Sequence, residues 1–151
     1  MLFRSLVAAA ALLVALPAAA QESGATIQTA AAAFVKPTNA ERMAVIVDQL
    51  TAAGLPHEVQ TFEGGNQRTG PMAGSNVVVT LGDGPKDIVL TAHYDAVKLR
   101  DGSMSQGIVD NAGSVLAMIE AMKTLKAQTT GHRLIFVLTD QEELGLIGAK
   151  A

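Results

Sequence analysis

The sequence predicts an α/β fold built around a mixed β-sheet, and three observations lead to that class. Two β-branched runs at 76–81 and 87–92 are separated by a short turn-forming segment, which indicates two neighbouring strands. Apolar residues at helical spacing between 111 and 127 precede another apolar run at 132–139. A strand pair followed by a helix and a strand, with a further helix expected from Glu142, is the alternation typical of this class.

Residues 1–20 have the layout of a cleavable export signal. Arg4 gives a basic start, 6–16 is an unbroken apolar stretch, and Pro17 ends it before the alanines that finish at Ala20. The apolar run is shorter than the roughly 20 residues that a transmembrane helix needs. We therefore expect cleavage after Ala20 and an exported protein, periplasmic or extracellular, with no membrane anchor.

Composition excludes several function classes. The 151-residue chain has no cysteine, which excludes disulfides, thiolate zinc sites and a lipoprotein anchor. Its formal net charge is −3, its Lys and Arg residues are scattered, and it has no Trp. A nucleic-acid partner is therefore not expected, because such proteins carry basic faces or aromatic stacking platforms. The length predicts one domain.

The first element predicted after the export signal is a helix. Thr38 and Glu41 have the spacing of a capping box, and the helical apolar pattern that follows ends at Gly54 and Pro56. A weakly alternating segment at 57–63 predicts a strand.

Two further predictions concern the connections. The glycine-rich segment 64–74 predicts a loop. The short connection at 82–85 predicts that the strands 76–81 and 87–92 form an antiparallel hairpin.

Three short clusters hold the side chains that could carry chemistry: His93-Tyr94-Asp95, Asp110-Asn111 and Glu142-Glu143. If the strands that end near the first and third clusters are parallel, all three gather where open α/β sheets build their ligand sites. His93 could bind a divalent metal through one ring nitrogen while Asp95 accepts a hydrogen bond from the other.

Each cluster also has a purely structural interpretation. His93 could be a buried, hydrogen-bonded histidine, Asp110 could cap a helix, and Glu142 with Glu143 could lie in the first turn of a helix. The adjacent acids are the most specific signal, because one carboxylate could bind zinc while the other acts as a general base. Three clusters of compatible chemistry at compatible positions favour the metal-site hypothesis.

The strings TAHYDAV, GIVDNAGSVLAMIEAMKTL and IFVLTDQEELGLIGAK together resemble peptidase family M28. Its members include bacterial leucyl aminopeptidases and are dinuclear zinc exopeptidases. The likeness covers about 76–150, with three motifs in the family's order, whereas the region before Asn76 matches only in layout. It implies a three-layer sandwich with a mixed, mainly parallel central sheet, a peptide substrate and two zinc ions.

Carried over position by position, the resemblance implies a role for five side chains. His93 would ligate one zinc ion, Glu143 would ligate the other, and Asp110 would bridge both. Asp95 would orient His93, and Glu142 would be the general base.

The chain departs from the family pattern in the number of ligands. The pattern also needs a further Asp or Glu and a distal histidine, and no candidate follows Ala151. We therefore expect 21–151 to be the N-terminal part of a truncated zinc exopeptidase domain that binds zinc weakly and does not turn over. The other histidines, His57 and His132, are predicted to be structural or exposed, with His132 at the opposite end of the sheet.

Two other functions stay open on the sequence. A related dizinc family of amidohydrolases and carboxypeptidases has similar acidic pairs, but its bridging aspartate usually lacks the Asn-Ala-Gly-Ser that follows Asp110. A non-catalytic binding domain on the same fold would have lost metal ligands, whereas every ligand that could be present here is present.

Overall fold

The computed structural model describes residues 27–128 and 131–151. The predicted export signal lies outside the described residues. The segment 27–33 is helical, and Phe34 directly after it is buried in the core. None of the helices within 27–128 and 131–151 has the length and apolar character needed to span a bilayer.

The first long helix, α1 (Asn39–Ala52), begins where the capping box predicts it. The Thr38 hydroxyl accepts a hydrogen bond of 3.2 Å from the Glu41 amide, and it donates one of 2.7 Å to the Glu41 carboxylate. These contacts satisfy an amide that the helix itself leaves without a partner. The predicted helix start is confirmed.

Four strands form one sheet in the order β1-β2-β4-β3: β1 (Glu58–Asn66), β2 (Gly70–Leu81), β3 (Asp87–His93) and β4 (Arg133–Thr139). β2 pairs antiparallel with both β1 and β4, and β3 pairs parallel with β4. The predicted α/β class with a mixed sheet is confirmed. β4 is a central strand, and its buried positions alternate at Leu134, Phe136 and Leu138, as expected for a strand packed on a core.

The predicted hairpin between 76–81 and 87–92 is wrong. β4 lies between these two strands, so each pairs with β4 instead of with the other. The connection can cross the start of β4 because Gly84 lies against it: a Cβ atom on Gly84 would stand 2.4 Å from the Gly131 carbonyl oxygen. The apolar β4 run thereby gains a strand partner on each side.

The predicted loop at 64–74 is also wrong, because β1 and β2 continue through it as an antiparallel hairpin. Its glycines serve close packing. A Cβ atom on Gly74 would lie 2.4 Å from the Phe62 ring, and one on Gly64 would lie 2.6 Å from the Ile147 side chain. Glycine inside a strand often marks such a close approach, and here composition imitated a loop signal.

The helix predicted over 111–127 is present as α2 (Gly113–Leu125). It packs on the sheet through buried apolar residues at helical spacing: Val115, Leu116, Ile119 and Met122. One π-type turn (Ile108–Ala112) precedes α2, and Asp110 and Asn111 in that turn have non-helical backbone angles.

The helix predicted from Glu142 is wrong. Residues 140–147 instead form a loop of consecutive turns, and only Gly148–Lys150 forms a short 3-10 helix. Gln141 and Leu146 have φ angles of 57° and 61°, in the left-handed region that an α-helix cannot contain. We call 140–147 the acidic loop.

Candidate metal centre

The three clusters meet at one edge of the sheet, as the sequence predicts. His93 is the last residue of β3 and pairs in register with Thr139, the last residue of the parallel strand β4. The acidic loop begins directly after Thr139, so its carboxylates lie beside His93. His132 precedes β4 and is exposed, at the opposite end of that strand pair.

His93 lies among three carboxylates. Its Nε2 atom is 3.0 Å from Asp110 Oδ1 and 3.9 Å from Glu142 Oε2. Its Nδ1 atom is 3.3 Å from Asp95 Oδ1, but that contact does not reach hydrogen-bond geometry. The predicted pairing of His93 with Asp95 is therefore present as a close contact, while the strongest contact of the imidazole is with Asp110.

Asp95 has a structural task that the sequence does not reveal. It is only 1% exposed, and its carboxylate accepts hydrogen bonds of 3.0 and 3.1 Å from the Glu142 and Glu143 amides. A buried carboxylate that receives backbone amides makes strong, charge-assisted hydrogen bonds. Asp95 therefore fixes the bend of the acidic loop and sets the position of both glutamates relative to His93.

Asp110 is 75% exposed in its side chain and does not cap α2, which starts three residues later. The capping interpretation therefore does not hold. The peptide bond between Asp110 and Asn111 is cis. Glu142 and Glu143 do not lie in the first turn of a helix, because residues 140–147 form no helix. The side chain of Glu142 is partly exposed. The structural alternatives for the second and third clusters are thus excluded by the backbone.

Like charges accumulate around Glu143. Burial raises the pKa of Glu143, and the Asp110 and Asp95 carboxylates raise it further, while His93 acts in the opposite direction. Asp110 and Glu143 line the same open cleft of about 470 Å³, whose wall includes the 93% exposed Val109. A cation bound among these groups would relieve their mutual repulsion.

The donor set fits zinc in kind but not in number. Imidazole and carboxylate are zinc ligands, and His93 with Asp110 offers one of each within direct contact. Within 27–128 and 131–151, however, no three His, Asp or Glu side chains are spaced so that they could hold one ion. The described residues thus do not form a complete zinc site.

The β1–β2 hairpin braces the acidic loop, which the sequence reasoning missed. Asn66 Nδ2 donates to the Leu144 carbonyl at 2.7 Å, and Gln141 Nε2 donates to the Ala73 carbonyl at 2.7 Å. An Arg68 guanidinium nitrogen lies 3.3 Å from the Glu143 carbonyl oxygen, which accepts its hydrogen bond. β1 and β2 extend past the carboxyl end of β4, so the tip of the hairpin lies beside the acidic loop.

Buried polar groups connect the sheet to the acidic loop. The Tyr94 hydroxyl donates to the Ser75 carbonyl at 2.6 Å. Burial raises the pKa of Tyr94, and the Asp140 carboxylate raises it further. Burial and then the Asp95 charge raise the pKa of Asp140. Tyr94 is therefore a buried part of the framework.

Helix α1 also reaches the site, through Asn39 and Arg42. A sequence signal for Arg42 exists, because Arg42, Ile46 and Leu50 recur every four residues and all three are buried. A charged residue on the apolar face of an amphipathic helix indicates a specific partner in the interior.

The sequence profile of peptidase family M28 matches residues 76–151, which is half of the chain. The uncharacterized protein YqjE of Bacillus subtilis (strain 168) is 36% identical over 104 residues. That alignment covers 68% of this chain and 27% of YqjE.

Solved structures share the fold. A leucine aminopeptidase precursor from Bacteroides thetaiotaomicron superposes with a TM-score of 0.64 at 18% identity, over 82% of this chain and 47% of its own. A Zn-dependent exopeptidase from Parabacteroides distasonis gives 0.65 at 18% identity, over 83% and 48%. A glutaminyl cyclase from Porphyromonas gingivalis gives 0.67 at 20% identity, over 83% and 49%. The chain spans about half the length of these proteins.

All five side chains predicted for the site lie within the segment that the family profile matches, and they come together at the sheet edge where that fold places its ligands. On the sequence match and the shared fold, this chain belongs to peptidase family M28.

Proposed function

We propose that this chain carries part of the catalytic centre of an exported zinc-dependent exopeptidase that removes N-terminal residues from peptides. The observation that carries the proposal is the contact of 3.0 Å between His93 Nε2 and Asp110 Oδ1, with the acidic loop held beside it by Asp95. Zinc exopeptidases among the structures of the same fold support the choice of metal.

In this proposal His93, Asp110 and Glu143 would be the zinc ligands, and Asp110 would serve both ions. When bound, zinc would supply Lewis-acid polarisation of the scissile carbonyl group and would lower the pKa of water. Asp95 would hold the acidic loop beside His93. In other metal sites, groups that contact the metal ligands orient those ligands in the same way.

Glu142 is the proposed general base. Its partly exposed carboxylate lies 3.9 Å from His93 Nε2, so it is within reach of a water molecule beside the imidazole. Water oxygen would attack the scissile carbonyl carbon while Glu142 accepts a water proton. As the C–N bond breaks, Glu142 would deliver that proton to the leaving amine nitrogen.

The ligand count limits what this chain does alone. Catalytic zinc normally has three protein ligands, whereas each proposed ion receives two from the described residues. We therefore propose that the 151-residue chain binds zinc weakly and does not turn over peptides. The family assignment favours the exopeptidase over the amidohydrolase and carboxypeptidase alternative, and the convergence of all five side chains favours an enzyme over a binding domain.

Zinc titration by calorimetry tests the site. His93→Ala and Asp110→Ala should each weaken zinc binding by at least tenfold, while His57→Ala, outside the cluster, should leave it unchanged. Zinc affinity that is equal in all three variants would refute the metal centre.

Activity assays test the incomplete centre and the reaction type together, and the expected result is that this chain alone acts on neither class of substrate. Aminoacyl nitroanilides and peptides with N-terminal glutamine should be offered in parallel, because glutaminyl cyclases share this fold. Tight binding of two zinc ions together with peptide hydrolysis would contradict the incomplete centre. Cyclisation of the glutaminyl peptide without hydrolysis would contradict the exopeptidase assignment.

A further inference from the structure

The first turn of α1 contacts two loops that border the metal centre. The Asn39 side chain bonds to both at once: its Nδ2 lies 3.4 Å from Asp140 Oδ1, and its Oδ1 accepts a hydrogen bond of 3.2 Å from the Ala96 amide. Ala96 follows Asp95, and Asp140 opens the acidic loop. One side chain therefore connects the segments that carry Asp95 and the two glutamates.

Arg42, one turn further along α1, holds the third segment of the site. Its side chain is fully buried, and one guanidinium nitrogen donates to the Ser105 carbonyl at 2.8 Å and to the Gln106 carbonyl at 2.9 Å. Gly107 then has a φ of 59°, and a Cβ atom there would lie 2.8 Å from the guanidinium. Only glycine lets the chain pass so close to the arginine before it turns toward Asp110.

The charge of Arg42 has a counterpart in the site. Burial lowers the pKa of the Arg42 guanidinium, and the Asp95 carboxylate raises it. A buried charge is strongly unfavourable unless hydrogen bonds and an opposite charge compensate it. An aliphatic residue would avoid that cost at a helix position that faces the core, so Arg42 indicates a task that an apolar side chain cannot perform.

We propose that Asn39 and Arg42 are positioning residues of the metal centre: together they set the distances between the segments that carry Asp95, Asp110 and the acidic loop. Both lie outside the segment 76–151 that the family profile matches, so the helix before the matched segment contributes to the site. The inference rests on the proposed metal centre for its effect on zinc, but the positioning itself can be measured without metal.

The experiment compares Arg42→Met, Arg42→Lys and Asn39→Ala with Leu50→Ala in the full chain. Leu50 lies two turns further along α1 and is fully buried in the apolar core, so its truncation is a destabilising control at a position remote from the site. Two quantities are measured below the unfolding transition: zinc affinity, and amide hydrogen exchange of the segments 104–112 and 140–147 without metal.

Arg42→Met should lower zinc affinity at least tenfold and speed exchange in 104–112, whereas Asn39→Ala should lower affinity about threefold or more and speed exchange in 140–147. Arg42→Lys should stay within about threefold of the wild type, because an ammonium group can also donate to two carbonyls. Leu50→Ala should leave affinity and local exchange near wild type despite its loss of stability.

The outcomes distinguish the positioning role of Asn39 and Arg42 from the proposed metal centre. Wild-type affinity and exchange in folded Arg42→Met would overturn the positioning role, and so would losses no larger than those of Leu50→Ala. If Arg42→Met does not fold, Asn39→Ala decides by the same criteria. If His93→Ala binds zinc like the wild type, the metal centre has failed, and the metal-free exchange alone decides whether Asn39 and Arg42 position the loops.

Discussion

Asn66, near the tip of the β1–β2 hairpin, donates a hydrogen bond of 2.7 Å to the carbonyl oxygen of Leu144 in the acidic loop. The two residues lie far apart along the chain, yet this contact joins a surface turn to the segment that carries both glutamates. The hairpin is thus part of the support of the site, and its contribution can be tested one contact at a time.

Asn66→Asp should loosen the acidic loop with little effect on global stability. The substitution removes the donor to the Leu144 carbonyl but keeps the Oδ1 acceptor for the Arg68 and Thr69 amides, so one exposed hydrogen bond of no more than about 1 kcal/mol is lost. Hydrogen exchange of 142–148 should become faster. Gln67→Ala, at an exposed position on the same turn, is the control, and exchange in Asn66→Asp no faster than in Gln67→Ala would contradict the brace.

Asp95→Ala should destabilise the fold strongly, because it leaves the buried amides of Glu142 and Glu143 without their acceptor. The expected loss is about 2 kcal/mol or more in the free energy of unfolding, measured by urea denaturation. Asp95→Asn retains one acceptor oxygen and should lose less. Asp48→Ala removes an exposed carboxylate and should be nearly neutral. A loss in Asp95→Ala no larger than that of Asp48→Ala would contradict the anchoring role.

Glu142→Gln and Glu143→Gln should affect zinc binding differently, because Glu142 is the proposed general base and Glu143 is a proposed zinc ligand. Glu143→Gln should weaken zinc binding at least tenfold, because it removes a charged ligand, whereas Glu142→Gln should leave the affinity within about twofold. Calorimetric zinc titration of both variants measures the difference. The reverse order of the two affinities would exchange the proposed roles.

Gly74→Ala should destabilise the chain through crowding. The new methyl group would stand 2.4 Å from the Phe62 ring and 2.9 Å from Gln141 Nε2, and overpacking of this kind costs about 1–3 kcal/mol. Phe62→Leu in the same chain should recover part of the loss by opening space. Gly131→Ala has no neighbour within 4 Å and should be nearly neutral. If the stability losses of Gly74→Ala and Phe62→Leu simply add in the double variant, the Phe62 ring is not what crowds the new methyl group.

The ion pair between Asp87 and Arg133 should contribute stability only above acidic pH. Hydrogen bonding to Arg133 lowers the pKa of Asp87, and the paired atoms lie 2.7 Å apart. A carboxyl group with a lowered folded pKa stabilises the fold above its unfolded pKa, about 4 for Asp. The contribution is lost as pH falls through the folded value.

Denaturation of wild type and Asp87→Asn across pH 2–7 measures that contribution. The stability difference should be small, since the pair is exposed, and should disappear at the acidic end. Asp83→Asn, on the preceding turn, is the control. A difference that grows toward low pH would have the wrong sign for this pair.

Local patterns predicted the elements that carry the candidate site better than they predicted the connections between strands. The capping box located α1, and the apolar runs located β3 and β4, because those signals lie within a few residues of the structure they specify. Since parallel strands bring their carboxyl ends together, the gathering of His93 with the acidic loop followed from strand direction alone.

The wrong predictions share one physical cause: long-range packing overrode local sequence signals. Gly64 and Gly74 indicated a loop, but distant side chains of Ile147 and Phe62 require their lack of a Cβ atom. The acidic loop had helical composition, but the Asp95 carboxylate captures its amides in a bend. Arg42 could have been suspected from its helix face, yet its partners at 105–106 have no signature in the sequence.

The strand order makes the surroundings of His93 depend on a single strand pairing. β4 is the last strand along the described chain, and it alone joins β3 to the rest of the sheet. Within the described residues, His93 therefore meets the acidic loop only when β3 pairs with a strand that lies about 40 residues further along the chain. Pairing over such a separation pays the entropy of closing the intervening segment, so the surroundings of His93 depend on a long-range contact and not on local structure.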